Sequence, residues 1–176
     1  DLMASILGDG KTSRLYRELV YERQIARDVM AAHYTREIAG EFIIQITGNP
    51  DQSLNELQEI VDSQLNLLRA TPPSERELGR ALNHFESDDV RSLERIGGFG
   101  GRADQLNLFN IFTSDPGNIN SDIQRYRAVT PDDIKQVANR LGGNRVRLTV
   151  LPEKEVTVGS HPKLDRTITP PGKPDK

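Results

Sequence analysis

Three histidines, His33, His84 and His161, are the scarcest chemical resource in a 176-residue chain that contains no cysteine. The missing cysteines remove disulfides, thiolate zinc sites and cysteine nucleophiles together. Metal or acid–base chemistry would therefore have to pass through an imidazole. A zinc-binding helix places two histidines four residues apart, so that both rings share one face; none of the three has such a neighbour. The surrounding patterns put His33 in a strand, His84 in a helix and His161 in a linker. His84-Phe85-Glu86 lies near Asp88-Asp89, but a mixed site there needs partners that spacing alone does not supply. Each histidine is expected to be solvated or held by a local hydrogen bond. No Ser–His–Asp arrangement follows from the order of residues. The acid pairs Asp88-Asp89 and Asp132-Asp133 read as a solvated face and a helix start.

Two glycine-bounded stretches invite phosphate or nucleotide chemistry. Gly8-Asp9-Gly10-Lys11-Thr12 ends like a phosphate-binding loop, but the full motif needs a glycine where Ser5 stands and a strand where a helix is expected. A helix–turn–helix break is the expected structure. Gly97-Gly98-Phe99-Gly100-Gly101 follows a long charged helix instead of the strand that a dinucleotide fingerprint requires. A hinge or a close approach of helices is expected there. A formal charge of −3 leaves no basic footprint for nucleic acid. No stretch approaches the ~18 apolar residues of a membrane span.

The elements that must position these residues follow from periodicity. Leu2, Met3, Ile6 and Leu7 predict the end of an amphipathic helix closed by Gly8 or Gly10, and Leu15, Leu19 and Val20 predict a second helix over 11–22. Val29 to Tyr34 and Phe42 to Ile46 predict two strands joined as an antiparallel hairpin around Ala39-Gly40. Ser53-x-x-Glu56 and Ser74-x-x-Glu77 predict capping boxes opening two helices, the first ended by Pro72-Pro73. Further helices are expected over 103–112, about 119–127, and from Thr130-Pro131-Asp132-Asp133 to Gly142-Gly143. Val146, Leu148 and Val150 alternate, predicting a last strand over 145–151 with one buried face. The fold class is α+β, with helices packed on a mostly antiparallel sheet.

Five of the ten prolines fall between 152 and 176. The expected organisation is a folded unit over 1–152 and a Pro-rich linker over 153–176. Asp1 opens onto an apolar run without an initiator Met or a basic leader region, so a piece of a longer polypeptide is expected, with no signal peptide in it.

Three stretches then resemble one family. They are the run from Gly10-Lys11-Thr12-Ser13-Arg14-Leu15 to Arg23-Gln24-Ile25-Ala26, the run Gly97-Gly98-Phe99-Gly100-Gly101-Arg102-Ala103-Asp104-Gln105-Leu106-Asn107, and the run Arg125-Tyr126-Arg127-Ala128-Val129-Thr130-Pro131-Asp132-Asp133-Ile134. Taken in order over 1–151, they are similar to the second, non-catalytic domain of the pitrilysin/insulinase family of zinc metallopeptidases. The resemblance implies two similar domains facing each other across a chamber. The first carries His-x-x-Glu-His, which is absent from this sequence; the second encloses the peptide. It implies no catalytic and no metal-binding residue in this chain, with zinc held by the missing catalytic domain, where it activates a water. The strand expected before the first helix would lie upstream of Asp1.

Family members hold substrate with an Arg and a Tyr seven residues apart, and the equivalent positions here carry Val20 and Arg27. Tyr21, Arg23 and Arg27 are the expected substrate contacts. The expected partners are the catalytic domain, in the same polypeptide or a partner subunit, and a peptide. Nucleic acid and a membrane span are not expected. The compartment is not fixed by the residues; the resemblance favours a bacterial cell envelope or periplasm. The other open reading is a catalytically silent structural or interaction domain of a processing-peptidase-like subunit.

Overall fold

The structure, a computed structural model, describes residues 1–141 and 145–151. Contacts divide the chain into two units, Asp1–Asn144 and Arg145–Lys176.

In the first unit, α1 (Leu2–Gly8) buries Leu2, Met3, Ala4, Ile6 and Leu7. Its last residue has to be glycine for a steric reason: a Cβ on Gly8 would lie 2.7 Å from both the Cβ and the backbone nitrogen of Ala31. The missing side chain lets the helix end rest directly on the neighbouring strand. Gly10, at φ +79°, then turns the chain.

The helix expected over 11–22 starts late and has a different winding. Ser13 is fully buried, and its Oγ donates to the Gly10 carbonyl at 2.8 Å, which keeps 10–13 as a turn. Residues Tyr16–Glu22 are π-helical, not α-helical, and the Arg23 N–H donates to the Glu18 carbonyl at 2.9 Å in the same five-residue register. Leu15 and Leu19, both fully buried, are spaced for either winding, so the pattern of apolar residues does not separate the two.

The hairpin forms as expected. β1 (Ala26–Thr35) pairs antiparallel with β2 (Gly40–Gly48), with Ala31 opposite Ile44. Among the described residues the sheet has these two strands. Five α-helices follow: α2 (Leu54–Ala70), α3 (Glu75–Glu94), α4 (Arg102–Thr113), α5 (Ile119–Arg127) and α6 (Pro131–Arg140), with a 3-10 turn at Pro116–Asn118. Ser74 with Glu77, and Thr130 with Asp133, make complete capping boxes. At Ser53 only half of the expected box forms: the hydroxyl accepts from the Glu56 N–H. The Gly142-Gly143 stop lies outside the described residues.

One expected element is corrected. Arg145–Leu151 is not a strand, and Val146, Leu148 and Val150 are exposed. Alternation gives a segment two faces; it does not supply the neighbouring backbone that makes a strand.

The core gathers Ile6 and Leu7 of α1, Leu15, Leu19, Val29 and Ala31, Leu57, Ile60 and Leu68 of α2, Leu78 and Ala81 of α3, and Ile134 and Ala138 of α6. At its rim Arg14 grips Glu77 through Nε and Nη2 at 2.6 and 3.0 Å, joining the first loop to the start of α3. The architecture is α+β, as the sequence indicates.

Candidate functional site

Tyr21, Arg23 and Arg27 sit where the π-helical segment hands over to β1. The handover is tightly built. The Ile25 N–H donates to the Leu19 carbonyl at 2.9 Å, folding the chain back on the helix end. Gln24 adopts φ +56°, uncommon for a residue with a side chain. Asn49, just after β2, holds it there: its Nδ2 donates to the Gln24 carbonyl at 2.6 Å and its backbone N–H to the Ile25 carbonyl at 3.0 Å. Ala26 then pairs with Gly48 and Asp28 with Thr47, which leaves Arg27 as the extra residue of a β-bulge. Bulges re-aim side chains.

All three residues are exposed, Tyr21 by 77%. Arg23 is oriented by Glu18, whose Oε1 accepts from its Nη2 at 2.9 Å, while Gln64 of α2 donates to Glu18 Oε2. Arg17 pairs with Glu22 at 3.3 Å. The turn therefore presents one phenol and two guanidinium groups, all able to donate to a peptide carbonyl. Val20, at the other position named by the resemblance, packs partly buried against the core.

A second feature was hidden from spacing arguments. His33 of β1 and His84 of α3 line one cleft of about 490 Å³ between α1, β1 and α3. Asp1, Ser5 and Asp9 line its α1 side, and Asp88 and Asp89 its α3 side. The nearness of His84 to Asp88-Asp89 in sequence was a cue to the α3 side; nothing in the spacing brings His33 and α1 to it. His33 Nδ1 lies 3.0 Å from Asp1 Oδ1, and His84 Nδ1 lies 3.6 Å from Asp9 Oδ2 and 3.4 Å from Asp88 Oδ2. Burial lowers the pKa of His33 and raises that of Asp89, where Asp122 adds like-charge repulsion. Phe85 stacks on Tyr126 beside the cleft, at 3.6 Å between ring centres.

These imidazoles are engaged with carboxylates, and among the described residues no group of three or more His, Asp or Glu side chains is placed to hold a metal ion. The donor set does not fit a zinc centre. His161 lies outside the described residues.

The two glycine stretches are structural. The 8–12 segment is the turn described above. The 97–101 segment is a folded loop between α3 and α4, in which the Gly100 N–H donates to Asp104 Oδ2 at 2.8 Å and Arg102 donates twice to the Leu93 carbonyl. That amide is already taken, so a phosphate would have to displace a carboxylate.

Comparison with known proteins bears on the family resemblance. Residues 1–85 match the family described as the peptidase M16 inactive domain. An uncharacterized zinc protease of Streptomyces coelicolor is 27% identical over 152 residues, covering 85% of this chain and 32% of the relative. A protease from Helicobacter pylori superposes with a TM-score of 0.65 at 22% identity, over 80% of this chain and 33% of that one. A peptidase M16 inactive domain from Pseudomonas fluorescens gives a TM-score of 0.63 at 20% identity, over 79% and 32%. At such identities the two structures establish the fold. The chain spans about a third of the length of these relatives. The pitrilysin/insulinase resemblance and these matches thus agree: over residues 1–85 the chain is similar to the peptidase M16 inactive domain, and its fold is the one found in the M16 inactive domain from Pseudomonas fluorescens.

Proposed function

We propose that this chain is the substrate-enclosing, non-catalytic domain of a zinc-dependent metalloendopeptidase. The observation that carries the reading is the match of residues 1–85 to an inactive peptidase domain, within a chain whose longer relative is named a zinc protease. The exposed turn supplies a means: Tyr21, Arg23 and Arg27 donate hydrogen bonds to the main chain of a bound peptide and hold it for a catalytic domain elsewhere in the polypeptide or in a partner subunit. Hydrolysis and its zinc belong to that other domain. By composition, the Pro-rich stretch 153–176 serves as a connector.

The test uses the full polypeptide that contains this domain, with a quenched-fluorescent peptide as substrate. Arg27→Ala should raise KM about 3- to 10-fold with kcat within about twofold, as expected for the loss of one charge-assisted donor that binds ground state and transition state alike. Peptidase activity absent from the full polypeptide, or present and insensitive to a chelator, would replace this reading with the silent interaction domain.

A further inference from the structure

Among the three expected contacts, Arg23 alone is held by a carboxylate that is itself held. Glu18 is 18% exposed on its side chain, although it is a charged residue next to the surface. Both of its oxygens are in use: Oε1 accepts from Arg23 Nη2 at 2.9 Å and Oε2 accepts from Gln64 Nε2 of α2. Its carbonyl accepts the Arg23 backbone N–H at 2.9 Å. Arg23 is thus tied to one residue through main chain and side chain together. The π-helical winding makes this possible, because it brings residue i−5 beneath residue i. The guanidinium is half exposed, and of its five N–H donors only the one from Nη2 is committed to Glu18.

Two consequences follow. A guanidinium fixed at one edge loses little rotamer freedom when its remaining donors find a partner. Its positive charge is compensated at 2.9 Å, so it offers directed donors with little net field. Such a group suits the neutral carbonyls of a peptide backbone, which every peptide has, better than a side-chain carboxylate, which few do. We propose that Glu18 is a positioning residue that makes Arg23 a charge-compensated donor for peptide main-chain carbonyls, with Gln64 holding Glu18 in place. The inference rests on the reading of the Tyr21–Arg27 turn as a peptide contact.

The experiment measures binding of two fluorescein-labelled decapeptides to the full polypeptide by anisotropy. One peptide is neutral, and the other carries two Glu in place of Gln. The unaltered protein should bind both within about twofold. Arg23→Ala should weaken both by about tenfold. Glu18→Gln preserves shape and the acceptor for Arg23 but removes the compensating charge. It should shift preference to the acidic peptide by about fivefold, and high salt should abolish that shift. Gln64→Ala keeps the charge but releases Glu18, and should weaken both peptides by about threefold with their ratio unchanged. Arg23→Ala without effect would overturn the peptide-contact reading itself. Arg23→Ala weakening both peptides while Glu18→Gln leaves their ratio unchanged would overturn the role of Glu18 alone. A purely structural role for Glu18 predicts weakening in Glu18→Gln without any change in preference, which is the same overturning result.

Discussion

Helices α1 and α4 are both rich in large apolar residues and have opposite fates. In α1 nearly every residue is buried, and Ile6 and Leu7 are completely so. In α4 no residue is buried, and Leu106, Leu108, Ile111 and Phe112 all face solvent in part. Composition does not separate them; neighbours do. α1 is packed against β1, α3 and α6, so all of it but the Ser5 side is covered. α4 touches α3, α5 and the short 3-10 turn, and it is anchored at its start by polar bonds from Arg102 to the end of α3 and from Gln105 to the preceding loop. Burial stabilises in proportion to the apolar area taken from water. The stability of this unit should therefore reside in α1, the hairpin and α2, while α4 contributes mostly local order.

The sharpest test of that contrast is a pair of truncations. Leu7→Ala removes a fully buried side chain and should cost about 3–4 kcal/mol in urea unfolding, lost transfer energy plus a cavity. Leu108→Ala, at a position 44% exposed, should cost under about 1 kcal/mol. Equal costs would mean that α4 shares the cooperative core, and the contrast drawn above would fail.

A pH titration probes the core side of this contrast, where Arg14 is tied to the start of α3. Hydrogen bonding to Arg14 holds the Glu77 carboxyl at a pKa of about 2, against an ordinary value of 4.5, and Ser74 pulls the same way. A depressed pKa in the folded state means that its stabilisation is complete above about 4.5 and is lost as pH falls from there towards 2. Allowing for solvent screening of a partly exposed pair, about 1–2 kcal/mol should disappear over that window. Glu77→Gln should lower stability at neutral pH and flatten that part of the profile, as followed by chemical unfolding at a series of pH values.

The core side of the comparison was legible in the sequence because its signals are local. The hairpin, the Ser74 and Thr130 caps and the apolar spacing of α2 each depend on residues a few positions apart, and all appear where expected. The π-helical winding over Tyr16–Glu22 was not legible, since Leu15 and Leu19 satisfy either helix. Only the later reach of Ile25 back to Leu19 and the clamp by Asn49 reveal how the turn is built. The convergence of His33 and His84 on one cleft was invisible for a different reason: it joins a strand to a helix distant in sequence, through packing that no period encodes. The Val146–Val150 alternation misled in the opposite sense, having a strand's pattern without a strand. As for the turn proposed to contact peptide, the sequence offered residue types. The bulge at Arg27 and the Glu18 tether on Arg23 came only from geometry.

The smallest expected effect asks whether the loop before α4 belongs to the cooperative unit at all. Gly97 and Gly98 are adjacent, and a Cβ on either would meet nothing within 4 Å, but only Gly98 has a left-handed backbone, φ +83°. Space is equal and conformation differs. Gly98→Ala should therefore cost about 1 kcal/mol, the penalty of a Cβ in that region, while Gly97→Ala should stay within a few tenths. Where the cost appears is as informative as its size. If the loop and α4 unfold with the core, Gly98→Ala lowers Tm by a few degrees. If α4 opens on its own, as its lack of buried residues indicates, Tm stays put. The penalty then emerges as faster amide exchange confined to about 95–113, because local opening, not global unfolding, limits exchange there. The second outcome is the one expected from the contrast between α1 and α4.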